Sequence, residues 1–319
     1  MATKKMVTTE EVLEIAHRHR NWGRWGDDDQ LGTVNFIDKE CILNAVSLVR
    51  QGKIISCALP YDEHGPQNGD FGRVNPIHVM LQDGGDASFG AQAHFGGLCY
   101  ADDAVYMPLQ SGTQWDALAH IFFDGKMYNG YSQECVNSQG TSVNGIEQYA
   151  DKIVTRGVFL DIPRFRGVQW LEPGEAIGGD ELEACAASVG ITVRRGDIIC
   201  VRTGSMEMKR VTNSWGTFAG GDSPGLNLSA AEWLCDKEVA GVATDTWGME
   251  VRPNETETLF QPLHIVLIVN AGMLIGEIFS FEELAVDCAE DGVYEFLFVG
   301  PPLPFTGAVG SPLNPLAIK

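Results

Sequence analysis

The sequence is poor in basic residues. Lysine and arginine together number 22 against 43 aspartates and glutamates, so the 319-residue chain carries a formal net charge of −21. No segment gathers the few basic residues into a stripe. A surface of this charge repels nucleic-acid phosphates and anionic lipid headgroups. We therefore expect neither nucleic acid nor membrane as a partner, and expect a small-molecule substrate instead.

Long apolar segments are also missing. No run reaches the roughly 18 apolar residues that indicate a membrane span, and the opening MATKKMVTTEEV has no apolar signal core. The eight cysteines are scattered and form no C-x-x-C pair. This distribution is typical of reduced, buried thiols and not of a disulfide framework. We expect a cytoplasmic protein.

Several common catalytic signatures are absent or incomplete. The chain has no phosphate-binding G-x-x-x-x-G-K-[ST], no H-E-x-x-H, and no G-x-G-x-x-G between a strand and a helix. GDSPG at 221–225 fits the G-x-S-x-G pattern of serine hydrolases. However, the residue after Ser223 is Pro224, which has no N–H to donate to an oxyanion hole. A serine-hydrolase mechanism is therefore rejected.

Apolar strands alternate with helices over the second half of the chain. GVFLDIP, GDIICVRTG, VAGVATDTW, MLIGEI and VYEFLFVG read as strands, and GDELEACAASVG, SAAEWLCDK, PLHIVLIVNAG and SFEELAVDCAEDG read as helices between them. This order predicts an α/β fold whose mixed sheet is covered by helices. No linker divides the chain, so residues 1–319 are expected to form a single domain.

Cap signals predict where several helices begin. Thr8 and Glu11 form a capping box at the start of a helical arm that covers about residues 1–52, whose second helix runs from Asp38 to about Gln51. Further capping boxes are expected at Ser229 with Glu232 and at Ser280 with Glu283. The glycine-rich segment 83–97 is expected to be an irregular loop bordering a pocket, with His94 as a substrate contact.

The segment MPLQSGTQWDALAHIF at 107–122 carries a pattern typical of a functional site. Its polar residues are Gln110, Gln114, Asp116 and His120. A helix buried in the core would show apolar residues at these intervals, and a solvated face would show lysine and glutamate. The surrounding residues are small or aromatic. We therefore interpret the segment as part of a site.

A second candidate segment, PLHIVLIVNAGMLIGEI at 262–278, is almost entirely apolar except for His264 and Glu277. A buried, ionised glutamate costs several kcal/mol unless it is paired or bound to a metal. The residues alone leave two interpretations open, a structural ion pair and a metal site.

Several motifs together resemble the cyclase family of metal-dependent hydrolases. QSGTQWDALAH is similar to the family signature H-x-G-T-H-x-D-x-x-x-H, and NWGRWGDDDQLGTVN, HIVLIVNAGMLIGEIFSFEEL and GAVGSPLNPLAI are similar to further family blocks in the same order. The family includes bacterial kynurenine formamidase and isatin hydrolase, and trans-dienelactone hydrolase is related. The resemblance implies a swivelling β/β/α fold and a homodimer or higher homo-oligomer.

The chain departs from the family signature at two positions. Gln110 and Gln114 stand where the family has two histidine ligands, while Asp116 and His120 are retained. Glutamine can bind a metal through its side-chain carbonyl oxygen. The implied ligands are Gln110, Gln114, Asp116, His264 and Glu277. This oxygen-rich set favours Mn²⁺, with Zn²⁺ as the alternative.

The resemblance also implies a reaction. A divalent metal would help to hydrolyse an amide or lactone bond, cyclic ones included, with His120 as general acid and base. Trp115, Phe122 and Phe123 flank the motif and are expected to line an apolar pocket. Two alternatives stay open at this stage. One is a catalytically silent small-molecule-binding protein, and the other is a metal-dependent isomerase or cyclase without net hydrolysis.

Overall fold

The computed structural model describes residues 6–319. Its strands are β1 Ile54–Ser56, β2 Ile77–Gln82, β3 Asp102–Tyr106, β4 Gln114–Asp116, β5 Val136–Asn137, β6 Gly140–Thr141, β7 Val154–Asp161, β8 Ala176–Ile177, β9 Ile198–Arg202, β10 Gly225–Leu226, β11 Gly241–Thr244, β12 Leu274–Glu277, β13 Glu295–Val299, β14 Gly310–Pro312 and β15 Leu316–Ile318. Its helices are α1 Thr9–Arg18, α2 Lys39–Val46, α3 Gly84–Ser88, α4 Ile162–Arg166, α5 Gly179–Ser188, α6 Ser205–Thr212, α7 Leu228–Asp236, α8 Pro262–His264 and α9 Glu282–Asp291. A π-helix, Ile265–Ala271, continues α8.

Within residues 6–319, nine strands form one mixed sheet in the order β1-β15-β13-β7-β9-β11-β12-β4-β14. The pairs β7–β9, β9–β11 and β11–β12 are parallel, and the outer strands pair antiparallel. The parallel strands are buried on both faces, because helices cover them, and they are therefore mostly apolar, with Arg202 and Glu277 at the ends of β9 and β12. The predicted α/β fold with a mixed sheet is confirmed.

The capping predictions are correct for the N-terminal arm and wrong later in the chain. Thr8 and Glu11 form the expected reciprocal cap of α1, and Asp38 caps α2. However, Asn227 caps α7 in place of Ser229, because its carboxamide oxygen accepts from the N–H of Ala230. The helix α9 begins after Phe281, one residue beyond Ser280, without a side-chain cap.

Two other local predictions are wrong. The second helix of the arm ends at Val46, short of Gln51, because the N–H groups of residues 51–53 all donate to the carbonyl of Lys319 at the end of β15. The glycine-rich segment 83–97 is not wholly irregular. It contains α3, which Asp83 and Asp86 cap reciprocally.

Large aromatic side chains fill the space between the sheet and the helices that cover it. Trp115, Phe279 and Phe298 form one such cluster, with ring centroids 5.3 and 6.2 Å from the Trp115 ring. All eight cysteines are free thiols, but only Cys57, Cys185, Cys200 and Cys288 are buried as predicted, and Cys99 is exposed. No helix among residues 6–319 is both long and apolar enough to cross a membrane.

Candidate metal centre

Strand pairing brings the two candidate segments together. The antiparallel register of β4 and β12 sets Gln114 opposite Glu277 and Asp116 opposite Ile275. Side chains two residues apart on a strand share a face, so Gln114, Asp116 and Glu277 lie on the same side of the sheet. All three are buried. The two segments are separated by 139 residues in the chain and form one cluster only because β4 pairs with β12.

His264 completes this cluster from the end of α8. Ligand atoms of Asp116, His264 and Glu277 all lie within 4.8 Å of one another. The Nε2 atom of His264 is 3.3 Å from Oε1 of Glu277. The π-helix begins directly after His264, and such irregular helices often occur at functional sites. The three residues form a group that could hold a metal ion.

Glu250 holds His264 from the opposite side and was not predicted from the sequence. Its Oε1 lies 2.7 Å from Nδ1 of His264, and its carboxylate also accepts from the N–H groups of Leu263 and His264. This contact orients the ring so that Nε2 faces Glu277. Carboxylates commonly orient metal-binding histidines in this way. A signal was present in VATDTWGMEV, where Glu250 is an acidic residue in a buried segment.

Charge in the cluster is unbalanced without a cation. Burial raises the pKa of Asp116, and neighbouring Glu277 raises it further, while His120, His264 and Arg73 oppose this rise. Burial would lower the pKa of His264, but its hydrogen bonds to Glu250 and Glu277 raise it to about 10. Buried carboxylates this close together are stabilised by a bound cation.

Buried polar atoms without partners provide an independent test of whether a metal fits. Among residues 6–319, both carboxylate oxygens of Asp116 and Oε1 of Gln114 are buried without a hydrogen-bond partner. Gln114 donates through Nε2 to Oε2 of Glu277 at 3.1 Å, which leaves its carbonyl oxygen available. Such orphaned oxygens are costly unless something binds them. The residues present therefore fit a divalent cation.

Gln110 was predicted to belong to the site from the spacing of the motif. In the structure its side chain lies beside this cluster. Gly310 is paired with Asp116 across β4 and β14, and a Cβ atom at Gly310 would approach Nε2 of Gln110 to 2.4 Å. The amide of Gln110 thus occupies the space left by the missing side chain. Its Nε2 atom is buried without a hydrogen-bond partner in the described part of the chain.

The Ser-Gly-Thr residues of the motif shape the turn that leads into β4. The ring of Tyr61 packs against Gly112, where a Cβ atom would come within 2.7 Å of it. Thr113 donates to the carbonyl of Ile278, the residue after Glu277, at 2.6 Å. Ile278 has a φ of 58°, a strained value for a β-branched residue. The turn therefore fixes the backbone on both sides of the cluster.

His120 lies at the edge of the cluster. No helix begins at Asp116, which ends β4, and the chain instead turns so that the N–H of His120 donates to the carbonyl of Ala117 at 2.9 Å. The turn nevertheless places Nε2 of His120 3.8 Å from Oδ1 of Asp116. The imidazole is 19% exposed, so it can contact both the cluster and solvent.

The four predicted substrate contacts lie in different places. Trp115 is fully buried and its indole N–H donates to the carbonyl of Gly300, so it is a core residue and not a pocket wall. Phe122 is exposed on the surface. Phe123 lines a different cleft, together with Trp22 and with His17 of α1. His94 is exposed and its ring packs against Phe95.

Aromatic residues that the sequence did not single out stand near the cluster instead. Trp247 precedes Gly248, whose missing Cβ would lie 3.8 Å from Oε1 of Glu277. The Phe71 ring lies 5.6 Å from the Trp247 ring and is 67% exposed. Nothing in the spacing of these residues pointed to the site, because each comes from a different loop.

The chain is similar to known proteins in sequence and in fold. A family model described as "Putative cyclase" matches residues 7–251. A solved structure described as a novel cyclase is 38% identical, with a TM-score of 0.86, and the match covers 95% of this chain and 99% of that one. No curated protein matches the sequence.

More distant solved structures share the fold. Isatin hydrolase A from Ralstonia solanacearum is 18% identical with a TM-score of 0.61, and the match covers 83% of this chain and 91% of that one. A potential metal-dependent hydrolase with cyclase activity is 16% identical with a TM-score of 0.51, and the match covers 83% of this chain and 98% of that one.

Proposed function

Because the chain belongs to the cyclase family, whose model matches 7–251, we propose that it is a metal-dependent hydrolase that cleaves an amide or lactone bond in a small, ring-containing molecule. The observation that carries this proposal is the convergence of Asp116, His264 and Glu277 within 4.8 Å. The unpartnered oxygens of Asp116 support it, because a purely structural ion pair would satisfy them.

In this proposal the chain's own residues hold the cation. Asp116, His264 and Glu277 supply the principal ligands, and Gln114 adds its carbonyl oxygen. Gln110 is the further candidate ligand. Oxygen outnumbers nitrogen in this set, so Mn²⁺ is favoured over Zn²⁺. A divalent metal at such a site polarises a carbonyl group and lowers the pKa of water.

His120 moves the proton in this proposal. Its imidazole is outside the three-residue cluster but 3.8 Å from Asp116, so it can approach a substrate atom held at the cluster. Gln110 and Gln114 cannot take this role, since a neutral amide has no useful acid–base chemistry near neutral pH.

Metal removal tests the proposed function. We expect protein stripped with a chelator to lose hydrolysis of its substrates, and to regain it with one equivalent of Mn²⁺ and more weakly with Zn²⁺. The substrates to test are aryl formamides, cyclic imides and lactones. Mass spectrometry of products formed in ¹⁸O-labelled water should show one labelled oxygen for each bond cleaved.

The outcomes separate the competing functions. Turnover without ¹⁸O incorporation would indicate a metal-dependent isomerase or cyclase. Tight ligand binding without turnover would indicate a silent binding protein. Failure to take up any divalent metal would contradict the proposal itself. We also propose that the enzyme works in the cytoplasm, since its eight cysteines are free thiols.

A further inference from the structure

An aromatic stack lies beside the candidate metal centre and has an arginine at each end. The Phe71 ring lies between the rings of Trp247 and Phe260, with centroids 5.6 and 6.3 Å away. The guanidinium carbon of Arg73 lies 5.0 Å from the Trp247 ring, and that of Arg252 lies 5.3 Å from the Phe260 ring. Phe71 and Phe260 are more than half exposed, so a ligand can reach the stack.

Neither arginine has a carboxylate partner within residues 6–319, although acidic residues outnumber basic ones in this chain about two to one. The Nη1 atom of Arg252 is buried without a hydrogen-bond partner. The backbone near Arg73 is held in a strained conformation, since Phe71 has a φ of 55°. Strain of this kind often marks a ligand site.

Arg73 is connected to the candidate metal centre through Trp247, whose neighbour Gly248 would place a Cβ atom 3.8 Å from Oε1 of Glu277. Trp247, on which Arg73 stacks, is tied to the metal-site motif through Gln67, which accepts from the indole N–H and donates to the carbonyl of Ser111. The carboxylates of Asp116, Glu277 and Glu250 carry three negative charges, against two positive charges on a divalent cation. Without Arg73 the site would therefore repel an anion.

We propose that Arg73 and the stack of Phe71, Trp247 and Phe260 form a subsite for a carboxylate on a planar, ring-containing substrate, with Arg252 as a secondary contact. This inference rests on the proposed function and specifies its substrate class. A guanidinium group pairs with a carboxylate through two parallel hydrogen bonds, and the exposed rings stack against a planar ligand. The chain thus selects an anionic substrate despite its negative surface.

Calorimetric titration of the Mn²⁺-loaded protein tests this subsite. The probes are benzoate and acetophenone, a neutral ring of similar shape without a hydrolysable bond. Arg73→Gln should weaken benzoate binding by about 10- to 100-fold, as expected for hydrogen bonds between charged groups. Its affinity for acetophenone should not change. Arg195→Gln is the matched control, because Arg195 also stacks on a ring, that of Phe36, but on another surface.

The outcomes distinguish this subsite from the proposed function. The same titrations on chelator-treated protein measure anion binding without any metal or turnover. Benzoate affinity that is equal in Arg73→Gln and wild type, or that falls equally in Arg195→Gln, would contradict the subsite. The metal-dependent hydrolysis of neutral substrates would survive that result. Loss of metal uptake with retained selectivity for benzoate would contradict the function alone.

An independent observation concerns residues 77–106, which are called the arm from here on and are separate from the N-terminal helical arm of residues 1–52. Its strands β2 and β3 pair only with each other within the described chain. Isolated two-stranded ribbons are marginally stable in water. Ten large apolar side chains of the arm are at least 40% exposed, and they include Leu81, Phe89, Leu98 and Tyr106. Ile77 and Val79 alternate along one face of β2, and Leu81 follows at a β-bulge between Met80 and Gln82.

The exposed apolar area is large enough for a stable interface. Side chains of this size and exposure present on the order of 1,000 Å² together. A standard-size interface buries about 800 Å² on each partner. A face rich in apolar residues is complementary to a copy of itself, as a two-fold dimer requires. Apolar contact also avoids bringing the acidic surfaces of two copies together.

We infer that the arm docks on a second copy of this chain and forms its dimer interface. Leu81→Glu places a charge in that interface and should raise the dimer dissociation constant by at least about 100-fold, given the cost of burying a charge. The control is Leu43→Glu on α2, since Leu43 is 58% exposed and Leu81 is 64% exposed. Leu43→Glu should leave the dissociation constant unchanged.

Sedimentation velocity over a dilution series measures both variants, with circular dichroism to confirm that each is folded. Hydrogen exchange at the arm amides should be slower in concentrated than in dilute wild-type protein. A monomeric wild-type protein at all concentrations would contradict the inference and leave the arm for a different partner. A dimer that survives Leu81→Glu unchanged would place the interface on another surface.

Discussion

His120→Ala should reduce turnover by about 10²- to 10⁴-fold while the protein keeps its metal, since this is the usual contribution of one positioned acid–base group. The imidazole is 3.8 Å from Asp116 and is partly open to solvent, where it can exchange protons. Removing it leaves the cluster of Asp116, His264 and Glu277 unaltered. The measurement compares metal content by mass spectrometry with the turnover number for the same preparation.

His64→Ala is the matched control, because His64 is 80% exposed and lies outside the cluster. It should have no effect on turnover. Added imidazole should restore part of the activity of His120→Ala if the side chain acts as an acid and base. Loss of the metal in His120→Ala would show that His120 is a ligand. Unchanged turnover would assign proton transfer to a different residue.

Asp116→Asn should abolish tight metal binding and, with it, activity. The loss in affinity should exceed the roughly 10- to 100-fold seen when residues that only support metal ligands are replaced. The variant should nevertheless unfold at a higher temperature than the metal-free wild type. Burial raises the pKa of Asp116, so the folded protein holds the ionised carboxylate less readily than the unfolded chain does. Above the ordinary pKa of aspartate this difference lowers the free energy of unfolding.

Asp245→Asn is the control for the prediction that Asp116→Asn loses the metal and yet stabilises the metal-free protein. Asp245 is also fully buried, and burial raises its pKa to about 6, but its two carboxylate oxygens accept from the N–H groups of Thr203 and Gly204. An amide NH₂ would face one of these donors, at a cost of about 1–3 kcal/mol. Calorimetry should therefore show destabilisation of Asp245→Asn and stabilisation of metal-free Asp116→Asn. Destabilisation of both would contradict the interpretation of Asp116 as an unpaired buried charge.

Local patterns in the sequence were sufficient to predict the positions of most strands at the centre of the sheet. Apolar runs correctly predicted five strands, namely β7, β9, β11, β12 and β13. A strand whose two faces are buried must be largely apolar, so its sequence is easy to recognise. Helix ends were less predictable. The choice of Asn227 over Ser229 depends on where the chain enters α7, which no local pattern specifies.

The residues of the candidate site were likewise only partly predictable from the sequence. The spacing of the motif identified Gln114, Asp116 and His120, and an isolated charge in an apolar segment identified His264 and Glu277. The sequence did not single out Glu250, Arg73 or Trp247. Trp247 and Glu250 lie in the segment after β11, and Arg73 comes from a distant loop before β2. Conversely, Trp115 stands next to two candidate ligands in the chain but points into the core, because neighbouring residues of a strand face opposite sides.

By itself, the sequence determined the fold class, the family resemblance and the residues that can bind a cation, since apolar periodicity and donor chemistry are properties of the chain. Only the tertiary structure decided which of those residues meet. The pairing of β4 with β12 sets Gln114 against Glu277, and the end of α8 brings His264 next to Glu277. Contacts between distant segments depend on the register of the sheet and on packing between its layers, and no single stretch of sequence contains either.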